Sequence, residues 1–276
     1  MRSTLLALAA AGVVAVLIGV PAAASDSSPT LTSAQIAQFA ALEPSLQAVD
    51  AAAPAPDPPP GHLTVQPHEY DPGHTTLVQA EWSGATGCPN GASVATYPAT
   101  KPTGTYTDPA CTTADTSDHE NDGLVLVKTG PTSNNAAAFA EVKGVKGPLT
   151  ELGYDIRKLG GSASPFGSHC GAGAPRFDVQ TTTDFYFVGC QSPPPDAQTT
   201  GDGWTRLRWG VAGTVMGFSA STFTLMPITG NVVSIEVVFD EGTDPSGGPD
   251  SSGAAVLDNI DVNGILGGTG PDDPEP

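Results

Sequence analysis

Three short stretches carry the residue types that could do chemistry. In Thr116-Ser-Asp-His-Glu-Asn-Asp-Gly123, Asp118, Glu120 and Asp122 alternate ahead of Gly123. Alternate carboxylates can converge on a hard cation while the glycine permits the sharp turn, so this is the spacing of a calcium loop. Its twelfth position is Thr129 rather than Glu, and its flanks read as loop and strand. The plainer reading, an acidic solvated turn entering Leu124–Lys128, therefore carries more weight. Structural calcium is the one cofactor the sequence suggests. A second acidic group, Asp240-Glu241-Gly242-Thr243-Asp244 with Asp250, lies in a Gly/Pro loop and has the same two readings.

In Trp204-Thr-Arg-Leu-Arg-Trp209, period two separates Trp204, Arg206 and Arg208 from Thr205, Leu207 and Trp209. If the second set packs a core, the first presents an aromatic plate edged by two guanidinium groups. Sugar rings stack their C–H faces on such a plate while polar neighbours take the hydroxyls, so Trp204, Arg206 and Arg208 are the candidate ligand-binding residues. The competing reading is a Trp that only seals the end of a sandwich.

No stretch supports catalysis. There is no Gly-x-Ser-x-Gly elbow, His-Glu-x-x-His helix or phosphate-cradling glycine loop. Glu69-Tyr-Asp71 starts like the Glu-x-Asp-x-x-Glu pattern of secreted sandwich glucanases, but its third position is His74, which breaks the carboxylate pairing that such chemistry needs. The five His are scattered. A non-enzymatic role is expected.

These stretches must be positioned by strands. From His62 onward, short alternating runs are separated by Gly, Pro, Asn and Asp. The expected strands are His74–Trp82, Gly123–Lys128, Ala137–Val145, Leu149–Arg157, Pro175–Gln180, Asp184–Cys190, Trp204–Trp209, Val232–Phe239 and Ala254–Val262. Eight or nine short strands with no convincing helix among them indicate an all-β fold, an antiparallel β-sandwich or jelly roll. Ahead of it, LTSAQIAQFAALEPSLQAVDAAA suggests short helical turns broken by Pro44, and PAPDPPP an extended spacer. The expected division is a signal peptide over 1–24, a helical or disordered segment with its Pro-rich linker over 25–61, the sandwich over 62–267 and an acidic tail over 268–276.

The leader MRSTLLALAAAGVVAVLIGVPAAASDSS has one Arg, an apolar run and small residues before Ser25, the layout of an export signal. The expected location is therefore extracellular, with no membrane insertion after cleavage. Ten Lys and Arg against 29 Asp and Glu give a formal charge of −19. Such a chain repels phosphate backbones and anionic lipid, which argues against nucleic acid as a partner. In an exported chain, Cys88, Cys111, Cys170 and Cys190 read as two disulfides. Of three possible pairings, Cys88 with Cys111 and Cys170 with Cys190 is favoured, because each closes a short local loop worth about 3 kcal/mol in the chain-entropy picture.

The order of the late segments carries a resemblance. Leu149-Thr-Glu-Leu-Gly-Tyr-Asp-Ile-Arg157, Ala174-Pro-Arg-Phe-Asp-Val179, Gly203-Trp-Thr-Arg-Leu207, Val233-Ser-Ile-Glu-Val-Val-Phe-Asp240 and Ala255-Val-Leu-Asp-Asn-Ile-Asp-Val262 together resemble the C-terminal half of galactose-binding-like jelly rolls, the fold of many carbohydrate-binding modules. CGAGAPRFDV with FDEGTD is also similar to stretches of a group of uncharacterised secreted bacterial proteins. The resemblance implies a binding module for extracellular polysaccharide or envelope glycan, and a structural calcium near the domain's termini. The alternatives are a structural or protein-interaction domain of the envelope, and a secreted polysaccharide hydrolase or lyase. In the closing strand, Asp258 falls among Val256, Ile260 and Val262. A buried carboxylate there needs hydrogen-bond donors or a cation, so Asp258 is expected to lock the fold, with Asn259 and Asp261 on the opposite side.

Overall fold

In a computed structural model, the residues described are 61–84, 86–87, 122–158, 174–201, 204–210, 213–244 and 253–267. They form fourteen strands: β1 (Thr64–Tyr70), β2 (Val78–Ser83), β3 (Gly123–Lys128), β4 (Ala137–Lys143), β5 (Leu152–Lys158), β6 (Arg176–Thr181), β7 (Phe185–Val188), β8 (Asp196–Gly201), β9 (Trp204–Trp209), β10 (Met216–Ser219), β11 (Leu225–Pro227), β12 (Val232–Phe239), β13 (Ala254–Val262) and β14 (Ile265–Gly267). No helix is present among the described residues. The N-terminal segment for which helical turns are expected lies outside them.

The strands form two antiparallel sheets packed face to face as a β-sandwich. The first sheet runs β1-β4-β12-β6-β7-β10-β11, and the second runs β2-β3-β13-β5-β9-β8 with β14 paired to β13. Sequence-adjacent strands repeatedly change sheet: β1 to β2, β3 to β4 and β12 to β13 all cross over. That crossing is the jelly-roll pattern expected from many short alternating strands.

Alternation fills the space between the sheets. From the first sheet come Val65, Ala138, Ala140, Val142, Phe177, Val179, Tyr186, Val188, Ile235, Val237 and Phe239; from the second come Leu124, Leu126, Leu152, Tyr154, Ile156, Leu207, Trp209, Leu257 and Ile260. At its centre Tyr154, Phe177 and Trp209 pack ring on ring, with centroids 5.4 to 5.9 Å apart. Their polar ends are satisfied: Tyr154 donates to the Pro175 carbonyl and Trp209 Nε1 to that of Pro193, each at 2.8 Å. Trp82 Nε1 donates to the Val65 carbonyl at 3.0 Å and joins the two sheets where β1 and β2 lie side by side.

Four strands, β3, β9, β12 and β13, have the expected bounds. Five were not expected: β1, β8, β10, β11 and β14. Strand β1 carries Pro67, which an edge strand tolerates because one row of its N–H groups has no partner strand. Strands β10, β11 and β14 are three or four residues long, too short for periodicity to register. The strand expected from His74 begins only at Val78. His74 and Thr76 have φ of 50° and 56°, and Asp71 takes the Thr76 N–H at 2.6 Å and the Thr75 hydroxyl at 2.8 Å, which makes this segment a turn.

Candidate binding surface

Trp204, Arg206 and Arg208 do share the outer face of the second sheet, but they form no exposed plate: all three are fully buried. Trp204 packs on Val256 and Val125, with the Arg157 guanidinium 5.3 Å from its ring centroid. Arg206 lies opposite Asp155 across β5 and β9 and grips it through Nε and Nη2, at 2.9 and 3.3 Å. Arg208 lies opposite Gly153 and runs flat over it. It reaches Asp261 at 3.4 Å, the Asn259 carbonyl at 3.4 Å and Asp155 at 3.7 Å. Period two tells which way a side chain points, but not whether that side is covered. A buried guanidinium costs several kcal/mol unless paired, so here each is committed to carboxylates and not held out for a ligand.

Asp258 belongs to the same layer. It pairs across with Asp155, and Asp261 pairs with Gly153, so two β13 residues, Asn259 and Ile260, stand opposite one of β5, Tyr154. That is a β-bulge, with Asn259 in the left-handed region at φ 47°. The bulge slips the phase: Ala255, Leu257, Ile260 and Val262 all face the core. Asp258 and Asp261 therefore share the outer face, which corrects the expectation that Asp261 lies opposite Asp258. Asp258 is buried and accepts the Asn259 N–H at 2.6 Å, while Asn259 Nδ2 donates to Asp155 at 2.9 Å.

Of the candidate calcium ligands, Asp118 and Glu120 lie outside the described residues, and Asp122 is buried at the head of β3. The second acidic loop turns inward on protein partners. Asp240 takes Arg176 Nη1 at 2.8 Å, Glu241 the Ala174 N–H at 3.1 Å, and Asp244 the Thr132 N–H. Among the described residues, no three His, Cys, Asp or Glu side chains are grouped to hold a metal ion. Cys190 is buried and disulfide-bonded. Cys88, Cys111 and Cys170 lie outside the described residues.

The outer face of the first sheet holds what the sequence reading missed. Cross-strand registers line up Glu141, Glu236, Asp178, Phe187, Phe218 and Leu225 on neighbouring strands β4, β12, β6, β7, β10 and β11. The acidic end is neutralised within the sheet, by Lys143 on Glu141 at 2.9 Å and Arg176 on Asp178 at 2.7 Å. The apolar end starts buried at Phe187 and emerges at the edge strand, where Leu225 is 43% exposed and Phe223, in the β10–β11 turn, is 52% exposed. Phe223 has φ of 54°, a conformation a bulky residue adopts only against strain.

A polar network holds that turn. Asp184 accepts hydroxyl bonds from Ser219 at 2.5 Å and Ser221 at 2.7 Å, and the Phe223 N–H donates to the Ser219 carbonyl at 2.9 Å. Thr222 and Thr224 bond hydroxyl to hydroxyl at 2.8 Å beside the ring. Partial burial raises the Asp184 pKa, but the Ser219, Ser221 and Phe185 N–H bonds outweigh it and hold the carboxyl below its ordinary range. The surface can thus offer one aromatic face, a neighbouring aliphatic, several hydroxyls and an ionised carboxylate. The signal in the sequence was SASTFT, an aromatic among hydroxyls in a turn where Gly or Asn is usual.

No protein-family model matches the chain, and neither does any curated protein. Among solved structures, the chain is similar to the family 11 carbohydrate-binding module from Clostridium thermocellum in complex with a β-1,3-1,4-mixed-linked tetrasaccharide. The identity is 12% and the TM-score 0.32, over 74% of this chain and 91% of that one. It is also similar to the family 11 module of a cellulosomal cellulase of Clostridium thermocellum, at 12% identity and a TM-score of 0.33 over 75% and 91% of the two chains.

Proposed function

We propose that this protein is a secreted, non-catalytic module that binds extracellular carbohydrate or cell-envelope glycan, through the β10–β11 edge and not through Trp204. The observation that carries the reading is Phe223, a half-exposed aromatic held at φ 54° by an organised network. A strained backbone persists where surrounding structure over-determines it, and such strain gathers at ligand clamps. Exposed apolar patches rimmed by polar groups mark interaction sites. A pyranose has a matching shape, with one C–H face to lay on Phe223 and Leu225 and hydroxyls to meet Ser221, Thr222, Thr224 and Asp184. The formal charge of −19 favours neutral or cationic glycans over anionic ones.

The test is retention on a panel of insoluble polysaccharides and envelope preparations, with soluble oligosaccharides read by calorimetry. Phe223→Ala is expected to abolish retention at an unchanged melting temperature, while Trp204→Phe leaves retention intact. If no glycan is retained, or if Phe223→Ala binds like wild type, the reading fails. Release of reducing ends or unsaturated products from the same panel would overturn its non-catalytic part.

A further inference from the structure

The turn end of the first sheet continues the Phe223 surface toward β12. Ser219 lies opposite Tyr186 and Val232 opposite Thr181, so the β10–β11 turn, the β6–β7 turn and the start of β12 meet at this end. Hydrogen bonds join them into one rim. Asp184, whose carboxylate holds Ser219 and Ser221, closes the β6–β7 turn by accepting the Thr181 N–H on its carbonyl at 2.9 Å. Beyond it, Thr183 Oγ1 donates to the Thr229 carbonyl at 2.7 Å, and the Thr182 N–H to the Asn231 carbonyl at 2.9 Å. Gly230 is pressed against the same turn, since a Cβ on it would lie 2.7 Å from Thr182 Oγ1. The surface of this rim is of one kind throughout. Thr182, Thr183, Ser221, Thr222, Thr224 and Thr229 are exposed, and Val233, at the end away from Phe223, is 64% exposed, more than any other large hydrophobic among the described residues. Residues 181–184 and 219–234 contain one charged side chain, Asp184, in a chain of formal charge −19.

We propose that this rim is an extended subsite for several consecutive sugars of an uncharged polysaccharide, running from Phe223 across Thr182 and Thr183 to Val233. The inference rests on the glycan-binding reading and adds chain length and charge to it. Strands β7 and β6 stand between β10 and β12, so Phe223 and Val233 are separated by about three inter-strand spacings, roughly 15 Å. One sugar ring cannot cover that span. The C–H faces of a sugar chain need apolar cover, which Phe223 with Leu225 supplies at one end and Val233 at the other. Between them the exposed hydroxyls, each both donor and acceptor, can exchange hydrogen bonds with sugar hydroxyls and need no fixed charge. A uronate or sulfated chain would meet the Asp184 carboxylate and no cation within these segments, so it is disfavoured.

The test is calorimetric titration of the whole protein with β-linked oligomers of glucose, mannose, xylose and N-acetylglucosamine, each from disaccharide to hexasaccharide, beside retention on the polysaccharide panel. Wild-type affinity is expected to keep rising with length past the disaccharide. Phe223→Ala is expected to lose binding at every length. Val233→Ser, a change at an exposed position, is expected to keep the wild-type melting temperature and to weaken hexasaccharide binding roughly tenfold, the worth of covering one valine side chain. Affinity that stops rising at the disaccharide, Val233→Ser matching wild type on the hexasaccharide, or polygalacturonate retained above every neutral polymer overturns this inference, while Phe223-dependent retention would leave the glycan-binding reading standing. Retention on the panel with no oligomer bound likewise overturns this inference alone. No retention at all overturns both.

Discussion

Gly153→Ala is the sharpest probe of the buried charge layer on the second sheet. A Cβ at Gly153 would lie 2.6 Å from Arg208 Nε, 2.7 Å from Nη1 and closer still to Cδ. Arg208 is fully buried, so its guanidinium cannot swing into water; it must leave Asp261 and the Asn259 carbonyl. Separating a buried ion pair costs about 3–5 kcal/mol, because the charges left behind are uncompensated. Replacing a strand glycine by alanine returns roughly 0.5–1 kcal/mol of backbone entropy. The net expectation is a loss of about 3 kcal/mol, which at ordinary urea slopes lowers the unfolding midpoint by roughly 1 M or more. Equilibrium urea unfolding of wild type, Gly153→Ala, Arg208→Ala and the double variant closes a cycle. In the Arg208→Ala background the clash is gone, and Gly153→Ala is expected to be neutral or slightly stabilising. A Gly153→Ala cost below about 1 kcal/mol, or the same cost in both backgrounds, would refute the account of Arg208 lying across Gly153.

The other predictions concern single groups. Asp258→Ala removes the acceptor of the half-buried Asn259 N–H at the bulge and is expected to cost about 1 kcal/mol; an exported variant that melts like wild type would contradict the fold-locking role. Phe223→Gly removes the strain at φ 54° and is expected to raise stability by about 1 kcal/mol while losing glycan retention, and a drop in stability would show that the turn is not strained. The folded pKa of Asp184 lies below its unfolded value, so its contribution is complete at neutral pH and is lost as pH falls through the folded value. Urea midpoints of wild type and Asp184→Asn across the acid range are therefore expected to converge at the lowest pH; parallel curves would count against the network.

The alternation of apolar residues was enough to identify an antiparallel sandwich and to bound β3, β9, β12 and β13, because a strand buried on one face writes its period into the sequence. It also separated Leu207 and Trp209 from Trp204, Arg206 and Arg208 as two faces of one strand. It could not say that the second face is covered, since burial of an outward side depends on segments distant in sequence. In β13 a single left-handed residue, Asn259, shifts the phase, so counting by twos placed Asp258 among core residues. Asn tolerates that conformation, and nothing local marks the slip. The β10–β11 edge was missed for a related reason: three- and four-residue strands show no period, and Phe223 gains its exposure and its strain only from where Asp184, 39 positions earlier, fixes the turn. The strand period, and with it the two-sheet architecture, follows from the local order of apolar and polar residues. Which carboxylates meet which guanidinium groups, and which aromatic stays in water, is set by folding, because those outcomes rest on contacts between residues far apart in the chain.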